Sequence, residues 1–214
     1  MLFDKIAADK RVINEYNKYS ELYADVDLAT HDLSHAFNVA RYCGKISKLL
    51  GLPDEQIDEI KVAAILHDVG MNGGKDGHAQ RSYEWAKRYL QDFDLPDESK
   101  HQILDAIKHH SSGNNHAYGR ILAFADKVDV NNQRILPAGL LLKDQRQYAN
   151  IKDVDFEIKD NTLVIKFTSN GKIDFDELNK YYFTHKIFKS IENLAKHFNL
   201  EQKIYMDSKI WYCN

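Results

Sequence analysis

Apolar side chains recur every three or four positions through the first 24 residues, which predicts a helix there. A second helix is predicted from about Thr30 until Gly51 and Pro53 end it. A third runs from about Asp54 to His67, and its last turns are almost wholly apolar. We expect the end of this third helix to be buried, because an amphipathic surface helix would carry polar residues on one face.

The segment VGMNGGKDG, residues 69–77, carries four glycines and predicts an irregular loop that could cover a site as a lid. Further helices are predicted to begin at about His78, Pro96 and Tyr118. The polar segment SSGNN separates the last two of these helices.

The pattern changes after about residue 150. Apolar and polar residues alternate on both sides of Asp160-Asn161, which predicts a β-hairpin, and a long amphipathic helix is expected from about Asp174 to Phe198. A second short hairpin is predicted to turn at Asp207-Ser208. The chain is therefore expected to be mainly α, with a helical domain over residues 1–150 and a hairpin-helix α+β appendage over residues 151–214.

The composition is that of an ordinary folded protein, with 43% hydrophobic and 29% charged residues among 214. The net charge of -3 argues against binding to a nucleic-acid polymer, which usually requires a basic face. Neither the charged N-terminal segment nor any later stretch is apolar enough for a signal peptide or a membrane span. Cys43 and Cys213 form no CxxC pair, so we expect reduced thiols in a cytoplasmic protein.

Ten histidines are present, and most of them lie between His31 and His116. His67 and Asp68 follow the buried apolar helix, where ionisable side chains are costly unless they are paired or bind a metal ion. For an isolated His-Asp pair, simple pairing with neighbouring groups would be the better interpretation. Five further residues lie at helix ends or on apolar faces and change this balance: His35, His78, His109, His110 and Asp126.

Nitrogen and oxygen donors of these kinds suit Mn, Fe, Co, Ni or Zn. The candidates outnumber the ligands of one tetrahedral ion, so the sequence allows one or two divalent metal ions. His31 precedes His35 by four residues, and both would face the same side of a helix.

The order of these residues resembles a known family. His35 with AFNVA after it, then LHDVG, His78, AIKHHSSG and LAFADKVD are similar to the pattern H, HD, H, H, D of the HD superfamily of metal-dependent phosphohydrolases. The resemblance covers residues 31–134 and implies an HD-domain helical bundle.

The resemblance also implies roles for individual residues. It implies four ligands of a first metal ion: His35, His67, Asp68 and Asp126. It adds ligands of a second ion at His78 and His110, with Asp68 bridging the two ions. His109 matches an additional histidine of some branches but could equally pack in the core. His31 stays open as a ligand or a phosphate contact.

Asp68 would also orient the nucleophile, and Asp129 is expected to support the ligands from the same helical face as Asp126. Phosphate contacts are expected from Arg134, and from Lys75 in place of a lysine that many members carry where this chain has Met71. Arg81 and Lys127 are weaker candidates.

The segment from AIKHHSSG to DVNNQR resembles HD hydrolases that split dinucleoside tetraphosphates symmetrically. The expected function is hydrolysis of a phosphate ester or anhydride in a nucleotide or dinucleoside polyphosphate. A di-iron HD-type oxygenase and a non-catalytic metal- or nucleotide-binding sensor are the alternatives. The expected partner is a small phosphorylated molecule, and the appendage leaves a homodimer open.

Overall fold

The computed structural model describes residues 1–111 and 116–213, and for residues 143 and 144 only the backbone. Residues 112–115, which hold most of the predicted SSGNN break, and residue 214 lie outside the described part. Within it, the chain divides into two compact units. The first comprises residues 1–24 and 31–126, and the second comprises residues 25–30 and 127–214. This division follows contacts rather than motifs, so the predicted domain boundary stays a prediction.

The first unit is built from helices. Their bounds are α1 (Leu2–Ala7), α2 (Lys10–Tyr23), α3 (Leu33–Leu49), α4 (Asp54–Leu66), α5 (His78–Tyr89), α6 (Asp97–His109) and the greater part of α7 (Ala117–Val128). Where one N-terminal helix was predicted, the structure has two. Asp9 accepts a hydrogen bond from Arg11 N at 2.8 Å and so caps α2, which separates it from α1.

Helix α4 forms the centre of this unit and packs against α1, α3 and α6. Its residues from Val62 to Leu66 are completely buried, as the apolar sequence predicts. Burial of each large aliphatic side chain contributes about 1.5–3 kcal/mol of hydrophobic free energy. The same burial forces the residues that follow, His67 and Asp68, into the interior.

The predicted irregular loop after Asp68 instead begins with a 3-10 helix, Val69–Gly73, which packs against α2 and α5. Arg81 on α5 holds this segment by donating hydrogen bonds to three of its backbone carbonyls. Its Nε donates to Gly70 O at 2.9 Å, its Nη1 to Asp76 O at 2.7 Å, and its Nη2 to Gly74 O. The glycines therefore form a structured turn beside Asp68.

The second unit holds the end of α7, the short helices α8 (Pro137–Leu140) and α9 (Lys143–Arg146), and a small α+β part. The strands are β1 (Ile151–Lys159), β2 (Thr162–Ser169), β3 (Glu201–Met206) and β4 (Lys209–Ile210), and the helices are α10 (Phe175–Lys180) and α11 (Tyr182–His197). Tyr181, at φ -75 and ψ 125, breaks the single long helix that was predicted.

Both predicted hairpins are confirmed. Asp160 and Asn161 both have positive φ, as a two-residue turn of the type that matches strand twist requires, and Lys159 pairs with Thr162. Asp207 also has positive φ between β3 and β4. The hairpins join into one sheet of order β1-β2-β3-β4, because β2 and β3 pair in parallel. The predicted mainly α fold with a small α+β part is thus confirmed, and among the described residues no helix has the length and apolarity to cross a membrane.

Candidate metal centre

Two helix termini of the first unit position the central residues. Asp32 caps α3 and accepts a hydrogen bond from His35 N at 3.0 Å, which fixes His35 in the first turn. His67 follows the last residue of α4, and Tyr16 donates from its hydroxyl to Ile65 O at 2.9 Å at this buried helix end. These hydrogen bonds hold the backbone at both helix ends, where His35, His67 and Asp68 are buried.

The carboxylate of Asp68 lies between two sets of imidazoles. Its Oδ2 is 2.8 Å from His31 Nδ1, 3.3 Å from His67 Nε2 and 3.8 Å from His35 Nε2. Its Oδ1 is 3.5 Å from His78 Nε2 and 3.6 Å from His110 Nε2. A single carboxylate thus presents one oxygen to each set.

Asp126 completes the first set from α7. Its Oδ1 lies 3.3 Å from His35 Nε2 and 3.8 Å from His67 Nε2. The potential ligand atoms form three overlapping groups, and within each group the atoms lie within 4.8 Å of one another. The groups are His31, His35 and Asp68; His35, His67 and Asp126; His67, Asp68 and His110.

Three histidines share one hydrogen-bonding pattern that fixes their tautomer. Nδ1 lies 2.7 Å from the backbone carbonyl three residues earlier in His67, His78 and His110. Because a carbonyl only accepts, each Nδ1 carries the proton and donates it. In the neutral ring the Nε2 lone pair then points at the cluster, as in a histidine that ligates a metal ion.

The contact between His78 and His110 supports a cation in this place. Their Nε2 atoms are 3.0 Å apart, although both act as acceptors in the neutral tautomers. Two lone pairs at this distance repel each other unless a proton or a metal ion lies between them. Among the described residues, His67 Nε2 is likewise buried without a partner in hydrogen-bonding geometry. The donor set therefore fits divalent metal ions of the Mn-to-Zn series.

The ionisation of the cluster is also suited to a cation. Burial opposes ionisation of Asp68, but His67, His31 and His110 outweigh it and hold the pKa of Asp68 well below its usual range. Burial lowers the pKa of His67, but Asp68 and Asp126 outweigh it and raise the pKa to about 10. Without a metal ion, a proton on His67 offsets part of the charge of the two carboxylates, and a divalent ion would displace it.

Of the predicted ligands, the structure brings together His35, His67, Asp68, His78, His110 and Asp126. His109 stays outside the groups of potential ligands found among the described residues, and its Nδ1 lies 3.0 Å from Asp105 Oδ1. Successive helical residues point about 100° apart, and at the end of α6 it is His110 that faces Asp68 while His109 turns toward Asp105.

The predicted catalytic residues other than Asp68 have different surroundings. Lys75 is exposed, and its carbonyl accepts the hydrogen bond from His78 Nδ1. Asp129 and Arg134 belong to the second unit and are buried there. Arg134 donates from Nη1 to Asp129 O at 2.9 Å and from Nη2 to Thr30 O at 2.7 Å. The guanidinium that was predicted to contact phosphate therefore bonds to backbone carbonyls in this structure.

His31 was left open as a ligand or a phosphate contact, and its predicted position on the same helix as His35 is wrong. His31 precedes the cap of α3 and is not on the helix, yet its Nδ1 reaches Asp68. The spacing of four residues from His35 was the only signal in the sequence. The anchoring role of Arg81 was not predicted, because no pattern marks which arginine will bond to a distant backbone.

Comparison with known protein families identifies the domain that carries these residues. Residues 32–131 match the family model of the HD domain. No curated protein gives a significant match. Among solved structures, the chain is similar to the crystal structure of a predicted HD superfamily hydrolase from an uncultured Thermotogales bacterium. The identity is 24% and the TM-score 0.46, over 57% of this chain and 68% of the other. The chain thus contains an HD domain at residues 32–131, the domain that defines the HD superfamily.

Proposed function

We propose that the protein is a metal-dependent phosphohydrolase that splits a phosphate ester or anhydride bond of a nucleotide or dinucleoside polyphosphate. The observation that carries the proposal is the Asp68 carboxylate, which presents one oxygen to each of two imidazole sets. One set, completed by Asp126, would hold a first ion, and His78 with His110 would hold a second. Such ions supply Lewis acidity toward phosphoryl oxygens and lower the pKa of bound water toward 7.

The residues of the chain would divide the remaining work. Asp68 stays ionised at neutral pH, because the surrounding imidazoles hold its pKa low, and it can therefore keep both ions in place. The backbone bonds of His67 and His110 orient their rings before substrate arrives, so little reorganisation is needed.

The substrate would approach from the side of His31 and His78. Their side chains are 18% and 14% exposed, whereas those of His35, His67 and His110 are at most 2% exposed. Lys75 lies three residues before His78 and keeps its ammonium in solvent, where it would neutralise a phosphate of the substrate.

Nucleotides are proposed as substrates because the sequence around His110 and Asp126 resembles that of HD hydrolases that split dinucleoside tetraphosphates. A dinucleoside polyphosphate would place several anionic phosphates between two polar bases, which suits a centre with two cations and an exposed lysine. The alternatives, a di-iron oxygenase and a sensor, share the metal centre and differ in what it does.

The test separates the products of nucleoside mono-, di- and triphosphates and of dinucleoside polyphosphates by chromatography, after reconstitution with Mn, Fe, Co, Ni or Zn. Free phosphate is measured as well, but symmetric cleavage of a dinucleoside tetraphosphate yields two nucleoside diphosphates and no free phosphate. Wild-type protein is compared with Asp68→Asn, which keeps the shape of the side chain, and with His109→Ala as a histidine control outside the cluster. Hydrolysis that requires Asp68 but not His109 is expected, together with a raised KM in Lys75→Ala. Bound metal without a hydrolysis product from any of these substrates refutes the hydrolase, and oxygen consumption by the iron form would then favour the oxygenase.

A further inference from the structure

His31 contacts the cluster more closely than any other described histidine contacts Asp68. Its Nδ1 lies 2.8 Å from Asp68 Oδ2, and it shares a group of potential ligand atoms with His35 and Asp68. The ring packs edge-on against Tyr19 and His35, with ring centres 6.0 and 5.7 Å away. These contacts hold the imidazole at the margin of the first set.

We propose that His31 is a fifth protein ligand of the ion at Asp68 Oδ2, beside His35, His67, Asp68 and Asp126. Neighbouring donor atoms of this set lie between 2.8 and 3.8 Å apart. Donors bound at right angles and about 2.1 Å from one ion would be about 3 Å apart, so these spacings are those of a coordination shell.

The nitrogens around Asp68 Oδ2 are spaced as ligands of one ion rather than as hydrogen-bond donors to one oxygen. Three imidazole nitrogens, from His31, His35 and His67, lie within 3.8 Å of this oxygen. Of these nitrogens, only His31 Nδ1, at 2.8 Å, forms a hydrogen bond with it, whereas His67 Nε2 at 3.3 Å is outside hydrogen-bonding geometry and His35 Nε2 at 3.8 Å is beyond hydrogen-bond distance. A cation beside the oxygen satisfies all three nitrogens, since each then directs a lone pair at the ion.

A fifth ligand changes which metal the site prefers. Structural and catalytic zinc sites use about four ligands in a tetrahedron, whereas five protein donors with three imidazoles suit a six-coordinate ion such as Fe, Co, Ni or Mn. One position then stays open for water or substrate. The inference rests on the metal centre of the proposed function and not on the reaction.

The experiment measures metal binding rather than turnover. Metal-free wild type, His31→Ala, His31→Asn and the control His109→Ala are titrated with Co²⁺ by calorimetry, and the visible spectrum of each complex is recorded. Asparagine can place an amide N–H near the position of Nδ1 and so keeps a hydrogen bond to Asp68, but it is a poor metal ligand. His31 lies outside α3, and circular dichroism verifies that the helices of each variant are retained.

We expect both His31 variants to lose more than about 100-fold in affinity for one Co²⁺, beyond the roughly 10–100-fold loss typical of a residue that only orients a ligand. Their spectra should also change, and His109→Ala should match wild type. Wild-type affinity and spectrum in His31→Asn, or in both variants, would overturn the proposal and leave at most a hydrogen-bonding role. Wild type that binds Co²⁺ but hydrolyses nothing would refute the proposed function alone, whereas wild type that binds no metal would refute both.

Discussion

Gly70 lies two residues after Asp68 and packs against the start of α5, so a single added methyl group tests the architecture of the site. A Cβ at this position would lie 2.5 Å from Ser82 N, 2.7 Å from His78 O and 2.8 Å from Arg81 Cβ. Two of these neighbours are backbone atoms, which cannot rotate away. Gly70→Ala must therefore push α5 and the 3-10 helix apart by several tenths of an ångström.

The cost follows from packing and from one hydrogen bond. Overpacking of a buried contact costs about 1–3 kcal/mol. Gly70 N also donates to Ser82 Oγ at 2.9 Å in a buried position, and weakening this bond costs about 1 kcal/mol more. For a chain of this length, 1 kcal/mol shifts the Tm by roughly 2–4 °C, so we expect a decrease of about 5–15 °C.

Thermal unfolding followed by circular dichroism measures this effect, and Gly44→Ala is the matched control. A Cβ on Gly44, inside α3, would meet only the flexible Lys61 side chain at 3.4 Å, so the control should gain about 0.5–1 kcal/mol from helix propensity. Because His78 is the first residue of α5, Gly70→Ala should also lose metal at the set formed with His110. A Tm within about 2 °C of wild type together with full metal content would refute this account of the packing.

Three further outcomes are expected. Chelation should lower the Tm, and added metal should restore it. An ion at about 100 times its Kd stabilises the folded state by about 2.7 kcal/mol, which raises the Tm by roughly 5–10 °C. An unchanged Tm would show that metal binding does not stabilise the fold. In the metal-free protein, the pKa of His67 is raised from 6.5 to about 10, so the stability it contributes is complete below pH 6.5 and is lost as pH rises through 10. Urea denaturation across this range should show the decrease, and His67→Gln should remove it. Arg134→Ala should lower the free energy of unfolding by about 2–4 kcal/mol, because the hydrogen bonds to Thr30 and Asp129 are lost. The control Arg146→Ala removes an ion pair at the surface and should cost less than about 1 kcal/mol. A raised KM at unchanged stability in Arg134→Ala would instead favour a phosphate contact.

The elements of this protein were predicted well wherever the signal is local. Periodicity located the helices from α3 to α7, and the residue pairs at Asp160 and Asp207 located both hairpins. Predictions failed where a single residue interrupts a continuous pattern. Asp9 and Tyr181 are each extended and precede a new helix, and apolar spacing on both sides gives no sign of the break.

The adjacent residues His109 and His110 show the limit for the metal centre. Their order in the chain matched a known pattern, but which of them faces Asp68 depends on how α6 is rotated against α4. Which arginine donates hydrogen bonds to a distant backbone carbonyl is likewise decided by packing, as Arg81 and Arg134 show.

The sequence by itself determined the helical character of the HD region, the buried His67-Asp68 pair and most of the ligand set, because these follow from short-range spacing and from the cost of burying ionisable groups. Only the tertiary structure decided that each oxygen of Asp68 faces its own set of imidazoles, that His31 belongs to the first set, and that β2 and β3 pair in parallel. These features join residues far apart in the chain, and their geometry is set by how helices and strands pack rather than by the order of residues.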